Sequence, residues 1–351
     1  MGRRVLVTGL ATFWGGRLAQ ALEDDPSVDV IIGLDTKEPT VRLERTEFVR
    51  TDESYSILAR IVRATKVDTV LHTFLVVDPG AAEARRMHEI NVIGTMNLCA
   101  AVSAPGSAVR TLVLKSFTGV YGSSKEDPTF FAEDTPRPNP PRHRSELSLT
   151  EVEQYVCDLG TDDPDIAVSV LRFANVLGPD ITTTLTRLLE LPAVPAVFGF
   201  DPRLQFVHED DVVRALRFAM DHRLRGAYNV AGDGLLPWSE VIAMVGKRPL
   251  YLPPFATDVF AGAGRWVGIP PMPPEAVALL KFGRGVDTRK LRAAGFTYLF
   301  DTPGAIADHV GALRLRRTVG ESTPDYRYDE DVEAFFRRST AVLTAVADER
   351  H

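Results

Sequence analysis

A chain of 351 residues, 45% apolar and 25% charged, has the composition of an ordinary globular protein of one large or two modest domains. A formal net charge of -7 argues against nonspecific attraction to nucleic acid or anionic membrane, and no apolar stretch approaches the length of a membrane span. Cys99 and Cys157 are too few for a disulfide framework and stand in no metal-ligand spacing.

The first strand begins almost at once, at Val5 to Val7, which leaves no room for a signal peptide and makes a reducing cytoplasm the expected location. Thr8-Gly9 breaks the strand, and apolar residues at helical spacing follow from Trp14 to Leu22. Strand, glycine turn and helix form the context in which a loop cradles a pyrophosphate. One glycine closes the turn, a later one lets the backbone approach, and the helix N-terminus supplies amide donors. Gly9, Thr12, Phe13, Trp14 and Gly15 are the loop's expected cofactor contacts. The next strand, Val28 to Leu34, ends in Asp35, close to the offset of about 20 residues at which an acidic side chain reaches the adenosine ribose. A carboxylate accepts from a free 2′-hydroxyl and repels a 2′-phosphate, so NAD is favoured over NADP, with Lys37 keeping the second cofactor open.

Further strands are expected at Phe48-Val49, Val67 to Leu71, Arg110 to Leu114 and Ile166 to Leu171, and helices at Tyr55 to Ala64, Ala81 to Val102 and Ser145 to about Leu159. Both cysteines fall in apolar helical surroundings and are expected to be buried. Such alternation predicts an α/β protein with a Rossmann-like, doubly wound parallel sheet, whose ligands lie at the carboxyl ends of the strands. Thr8-Gly9, Asp35, His72-Thr73-Phe74 and Lys115-Ser116-Phe117 then share one edge.

Beyond residue 180 the pattern changes. Pro192 to Pro202 reads as loop, Phe206-Val207 and Tyr228 to Val230 as short strands, and Asp210 to Met220 as a helix. Pro-rich segments at Pro249 to Phe255 and Pro270 to Pro274 flank an apolar stretch with Phe260 and Trp266. The expected organisation is a dinucleotide-binding domain over 1–180, with return segments near 205–232. A smaller C-terminal substrate lobe follows over 181–315, unable to continue the sheet, and then a charged tail and helix over 316–351.

Nine anchors in order carry a resemblance to the extended short-chain dehydrogenase/reductases, in their NAD-dependent epimerase/dehydratase branch. They are Val7-Thr8-Gly9 with Gly15, Asp35, Asp52, Val67 to His72, Asn91 to Thr95, Val120-Tyr121-Gly122, Leu171 to Pro179, Phe206 to Val212 and Gly226 to Val230. The resemblance implies that Asp52 meets the adenine, that His72, Thr73, Phe74 and Asn91 line the cofactor, and that Asn175 lies near the phosphates of a nucleotide sugar. It also implies a homodimer built by the helices Ala81–Val102 and Ser145–Leu159, burying Met96 and Val152.

The family's chemistry uses a Tyr-x-x-x-Lys pair and a strand-end hydroxyl. Counted from Val152-Glu153-Gln154 and from Val120-Tyr121-Gly122, those positions fall on Ser145, Leu149 and Phe117, so the usual catalytic set is replaced. Thr12 stands for the middle glycine of the phosphate loop, and Arg203 lies one place from the expected arginine before Phe206. Phe117, Ser145, Asn175 and Arg203 are the candidate substrate contacts. Lys115 at the ligand edge, Tyr121 of a literal Tyr121-Gly122-Ser123-Ser124-Lys125, and His143 beside Arg142 and Arg144 are the candidate catalytic groups, each with a purely structural alternative. Two function classes remain open: an epimerase/dehydratase-like oxidoreductase with atypical or reduced catalysis on a small molecule such as a nucleotide sugar, or a non-catalytic dinucleotide-binding sensor or partner protein. No metal is expected.

Overall fold

In the computed structural model, which describes residues 2–51, 54–75, 88–141, 143–254, 272–319 and 339–342, Val5, Leu6 and Val7 are fully buried. Three successive apolar residues, without alternation, mark a strand covered by helices on both faces. It is β1 (Arg3–Thr8) of a seven-stranded sheet. The others are β2 (Val28–Asp35), β3 (Thr46–Arg50), β4 (Thr69–His72), β5 (Thr111–Phe117), β6 (Ala167–Phe173) and β7 (Gly226–Val230). Their spatial order is 3-2-1-4-5-6-7, and every neighbouring pair is parallel. The order reverses between β1 and β4, which opens a crevice at the carboxyl ends of these strands.

The helices that matter for the site are α1 (Phe13–Glu23), α2 (Tyr55–Thr65), α3 (Gly94–Val102), α4 (Arg144–Asp162), α5 (Thr184–Glu190), α6 (Glu209–Asp221) and α7 (Pro274–Phe282). One apolar core holds the sheet and its flanking helices, from Val5 and Leu18 to Val152 and Val230. A second packs Leu177, Leu188, Val194, Trp238, Val277 and Ile306 beneath the carboxyl edge of β6.

Several expectations change. The predicted helix 81–102 is described only from residue 88, as a single wide turn at Glu89–Ile93 followed by α3. Pro192 to Pro202 is not all loop: Ala193–Val197 pairs in parallel with Arg248–Leu252, inside the Pro-rich segment. Each strand of a two-stranded sheet is an edge, where a proline need not remove a ladder hydrogen bond. The second half does continue the main sheet, by one strand: β7 pairs with β6. Neither cysteine is buried: Cys157 is exposed, between the buried Val156 and Leu159 of α4, and Cys99 is half-buried. Asp52, Arg142, the stretch Phe255–Trp266 and Asp325–Asp331 lie outside the described residues, and of the C-terminal helix only Thr340–Val342 is described, as helix.

Candidate functional site

The glycine loop between β1 and α1 is built by close approach. Gly9 has φ +76°, and a Cβ there would stand 2.7 Å from Phe74 Cα; a Cβ on Gly15 would stand 2.1 Å from the Gly9 carbonyl oxygen. Both positions therefore need glycine, the first for its left-handed backbone and the second for helix–strand contact. Thr12 caps α1: its hydroxyl donates to Gly9 O at 2.7 Å and accepts from Gly15 N at 3.1 Å. It thereby takes the third helical amide, while the first amides of a helix have no intrahelical acceptor. No acidic residue occupies the first turn of α1, so nothing there opposes an anion.

Asp35 closes the other side. Its Oδ2 accepts from Ala11 N at 2.9 Å and its Oδ1 from Lys37 N at 3.1 Å. Burial holds its carboxyl above the usual range, and those amide donors pull it back. His72, in contrast, is knitted into the scaffold: Nδ1 lies 2.6 Å from Thr8 Oγ1 and Nε2 lies 2.9 Å from Thr95 Oγ1. Complete burial pushes its pKa down to about 4, so it is a neutral cross-link between β1, β4 and α3. Thr73 donates to Thr8 O at 2.8 Å, the Phe74 backbone abuts Gly9, and Asn91 is buried with its carbonyl accepting from Thr95 Oγ1.

A cleft partly open to solvent runs from the start of α1 to α5 and α7. Trp14, Lys115, Phe117, Phe173, Asn175 and Glu275 line it. Lys115 sits on β5 and is only 4% exposed. Its Nζ lies 5.1 Å from the Trp14 ring centroid and 5.8 Å from that of Phe173. Among the described residues no carboxylate pairs with it, and burial alone brings its pKa down to about 8. Ring faces attract a cation but only partly replace its lost water.

Ser145, Leu149 and Phe117, the positions expected from the sequence to replace the family's catalytic set, lie near this cleft. Ser145, in the first turn of α4, donates to Glu275 Oε1. Phe117 and Leu149 both close over Gly119, so an aromatic ring and a leucine fill the space there. The Arg284 guanidinium lies 5.4 Å from the Phe117 ring centroid and donates to Gly122 O at 3.0 Å.

The other two catalytic candidates stand apart. The Tyr121 hydroxyl donates to Asn229 Oδ1 and accepts from Arg172 Nη1, each at 2.8 Å, and its ring stacks on Phe131. Arg172 in turn forks onto Glu153, which also accepts from Ser116 Oγ. Tyr121 thus belongs to a buried polar network and does not line the Lys115 cleft. Lys125 is exposed and pairs with Glu126, so the literal Tyr-x-x-x-Lys does not converge. His143 precedes α4 in a separate polar hollow with Ser124, Asn139 and Glu146. Arg203 is an exposed residue of the strand Arg203–Leu204 and is absent from the cleft lining.

Sequence reading missed Glu275, Phe173 and the Glu153–Arg172 fork. Glu153 and Arg172 sit inside stretches matched to the family, and a charged pair at otherwise apolar positions was the available signal. Glu275, after Pro273-Pro274, carries none.

The family model for "NAD dependent epimerase/dehydratase family" matches residues 5–231. An uncharacterized protein of Mycobacterium tuberculosis H37Rv is 37% identical over 311 residues, covering 87% of this chain and 82% of its own. The UDP-glucose 4-epimerase 3 of Oryza sativa subsp. japonica is 29% identical over 192 residues, half of each chain. Among solved structures, MoeE5 in complex with UDP-glucuronic acid and NAD superposes with a TM-score of 0.68 at 22% identity, covering 89% of this chain and 99% of that one. The UDP-glucuronic acid 4-epimerase from Bacillus cereus in complex with NAD gives 0.69 at 17% identity, covering 91% and 98%. The seven-stranded sheet is the fold of these neighbours, and the chain belongs to the NAD-dependent epimerase/dehydratase family.

Proposed function

We propose that this chain is an NAD-binding oxidoreductase of epimerase/dehydratase type with atypical catalysis on a small molecule in the Lys115 cleft, in the cytoplasm. The observation that carries it is the buried Lys115, without a carboxylate partner among the described residues, beside Trp14 where the cofactor loop meets the cleft. The residues present fit the dinucleotide: the Gly9–Gly15 turn leaves its first helical amides for a pyrophosphate, and Asp35 offers a buried acceptor for the adenosine ribose. Bound NAD supplies a hydride acceptor. Lys115, held near 8, has an amine fraction near neutral pH and can take or return the proton of a substrate oxygen. Asn175 and Glu275 orient that substrate, and the apolar walls exclude water.

The test is absorbance of the reduced nicotinamide when NAD-loaded protein meets candidate alcohols. Ser145→Ala is expected to leave turnover within roughly a few-fold, against the ~100-fold or greater loss of a true acid–base residue. A collapse with folding intact would return the proton-transfer role to Ser145. Phe117, Ser145 and Leu149 in place of a hydroxyl, a tyrosine and a lysine favour a second reading, a non-catalytic NAD-binding protein. Bound NAD that no substrate reduces would select it.

A homodimer through α3 and α4 also belongs to this proposal. Val152 is fully buried within one protomer and cannot serve the interface, but Ile93, Met96, Leu147 and Tyr155 are exposed. Light scattering should give twice the mass of one chain, and Met96→Glu with Tyr155→Glu should halve it. One-chain mass for the wild type at micromolar concentration contradicts the dimer.

A further inference from the structure

Among the described residues the charges of the cleft cancel. Lys115 contributes one cation and Glu275 one anion, and the rest of the lining includes three aromatic rings and four leucines. Glu275 Oε1 is taken by Ser145, whereas its Oε2 is buried with no hydrogen-bond partner. A buried acceptor without a partner is costly, and a ligand hydroxyl would relieve that cost. A sugar nucleotide brings a diphosphate with about two negative charges, which such sites neutralise with several donors and cations. Among the described residues it would meet a single ammonium and a carboxylate here. Arg284 is buried behind Phe117 and engaged by Gly122 O, and Arg203 lies outside the cleft.

We infer that the cleft takes an uncharged, largely apolar molecule with an oxygen acceptor for Lys115 and a hydroxyl donor for Glu275 Oε2, in place of a nucleotide sugar. This rests on the reading of the cleft as the substrate site. Apolar walls reward removal of alkyl or ring surface from water, and the two polar side chains fix the direction of entry. Glu275 then acts as the specificity-determining residue, held in its rotamer by the Ser145 hydroxyl.

Calorimetric titration with 1-hydroxydecan-2-one and with UDP-glucose tests the inference, each with and without NAD. The hydroxy ketone should bind saturably and UDP-glucose should not, up to millimolar concentration. Ala276→Trp, which fills the cleft, should weaken the hydroxy ketone at least about tenfold, and the near-isosteric Glu275→Gln should weaken it by about threefold or more. Circular dichroism verifies the fold of both variants. Saturable UDP-glucose binding that Ala276→Trp weakens overturns the inference. So does hydroxy ketone binding that is absent in the wild type or indifferent to Ala276→Trp. Failure of NAD to bind while the hydroxy ketone still does would contradict the cofactor proposal and leave this one standing.

Discussion

Replacing Lys115 with methionine is expected to abolish turnover while making the protein more stable. Methionine keeps an unbranched side chain against Trp14 and Phe173 but removes the group of the cleft that, among the described residues, is poised to exchange a proton near pH 8, so a loss of ~100-fold or more follows. The stability change has the opposite sign. A lysine of ordinary pKa 10.5 that titrates at about 8 in the fold binds its proton less well in the native state than in the unfolded chain. Below pH 8 both states are protonated and the desolvation penalty is complete, about 3 kcal/mol. Between pH 8 and 10.5 the unfolded chain binds the proton that the native state has lost, so wild-type stability rises with pH across that window. Lys115→Met should therefore gain up to ~3 kcal/mol at pH 7, shrinking toward zero above pH 10. Denaturant titration of both proteins across that range checks the sign. A destabilised variant at pH 7, or a constant difference with pH, would mean that Lys115 has a carboxylate partner in solution.

Glu153→Ala is the second large expected effect, and it is structural. Glu153 holds Arg172 through bonds of 2.7 to 3.2 Å and accepts from Ser116 at 2.5 Å. The Glu153 side chain is 7% exposed and that of Arg172 16%, so truncation leaves a guanidinium largely out of water without its anion. Breaking such a pair by removing one partner costs about 3–5 kcal/mol. Tyr121→Phe, which removes one hydroxyl from the same network, should cost about 1–3 kcal/mol. Turnover by the Tyr121→Phe protein that remains folded should be preserved. Its loss with stability unchanged would place Tyr121 in the chemistry after all.

The strand–loop–helix of residues 3–23 was legible because strand burial, turn and helical spacing each leave a local mark, and Gly9, Gly15 and Asp35 sit where those marks put them. The short strands at Ala193–Val197 and Arg248–Leu252 were not. Proline punctuates both, and their pairing is a contact between segments far apart in the chain. Lys115 could be placed at the ligand edge from the end of β5, but its ring neighbours could not, since Trp14 and Phe173 arrive from other elements. Tyr121 shows the reverse failure. Its spacing to Lys125 suggested chemistry, whereas Arg172 and Asn229, supplied by β6 and β7, hold its hydroxyl within the scaffold. Glu275 had no local signal at all, because only the folding of α7 against α4 brings it to Ser145.

Calorimetry of the cofactor-free protein with NAD and with NADP tests whether the Gly9–Gly15 turn and Asp35 hold a dinucleotide. With Asp35 buried at the end of β2 and its oxygens turned to the loop amides, NAD should bind about tenfold or more tightly than NADP, and Asp35→Asn should narrow that gap. Tighter binding of NADP, or binding of neither nucleotide because Thr12 closes the phosphate turn, would contradict it.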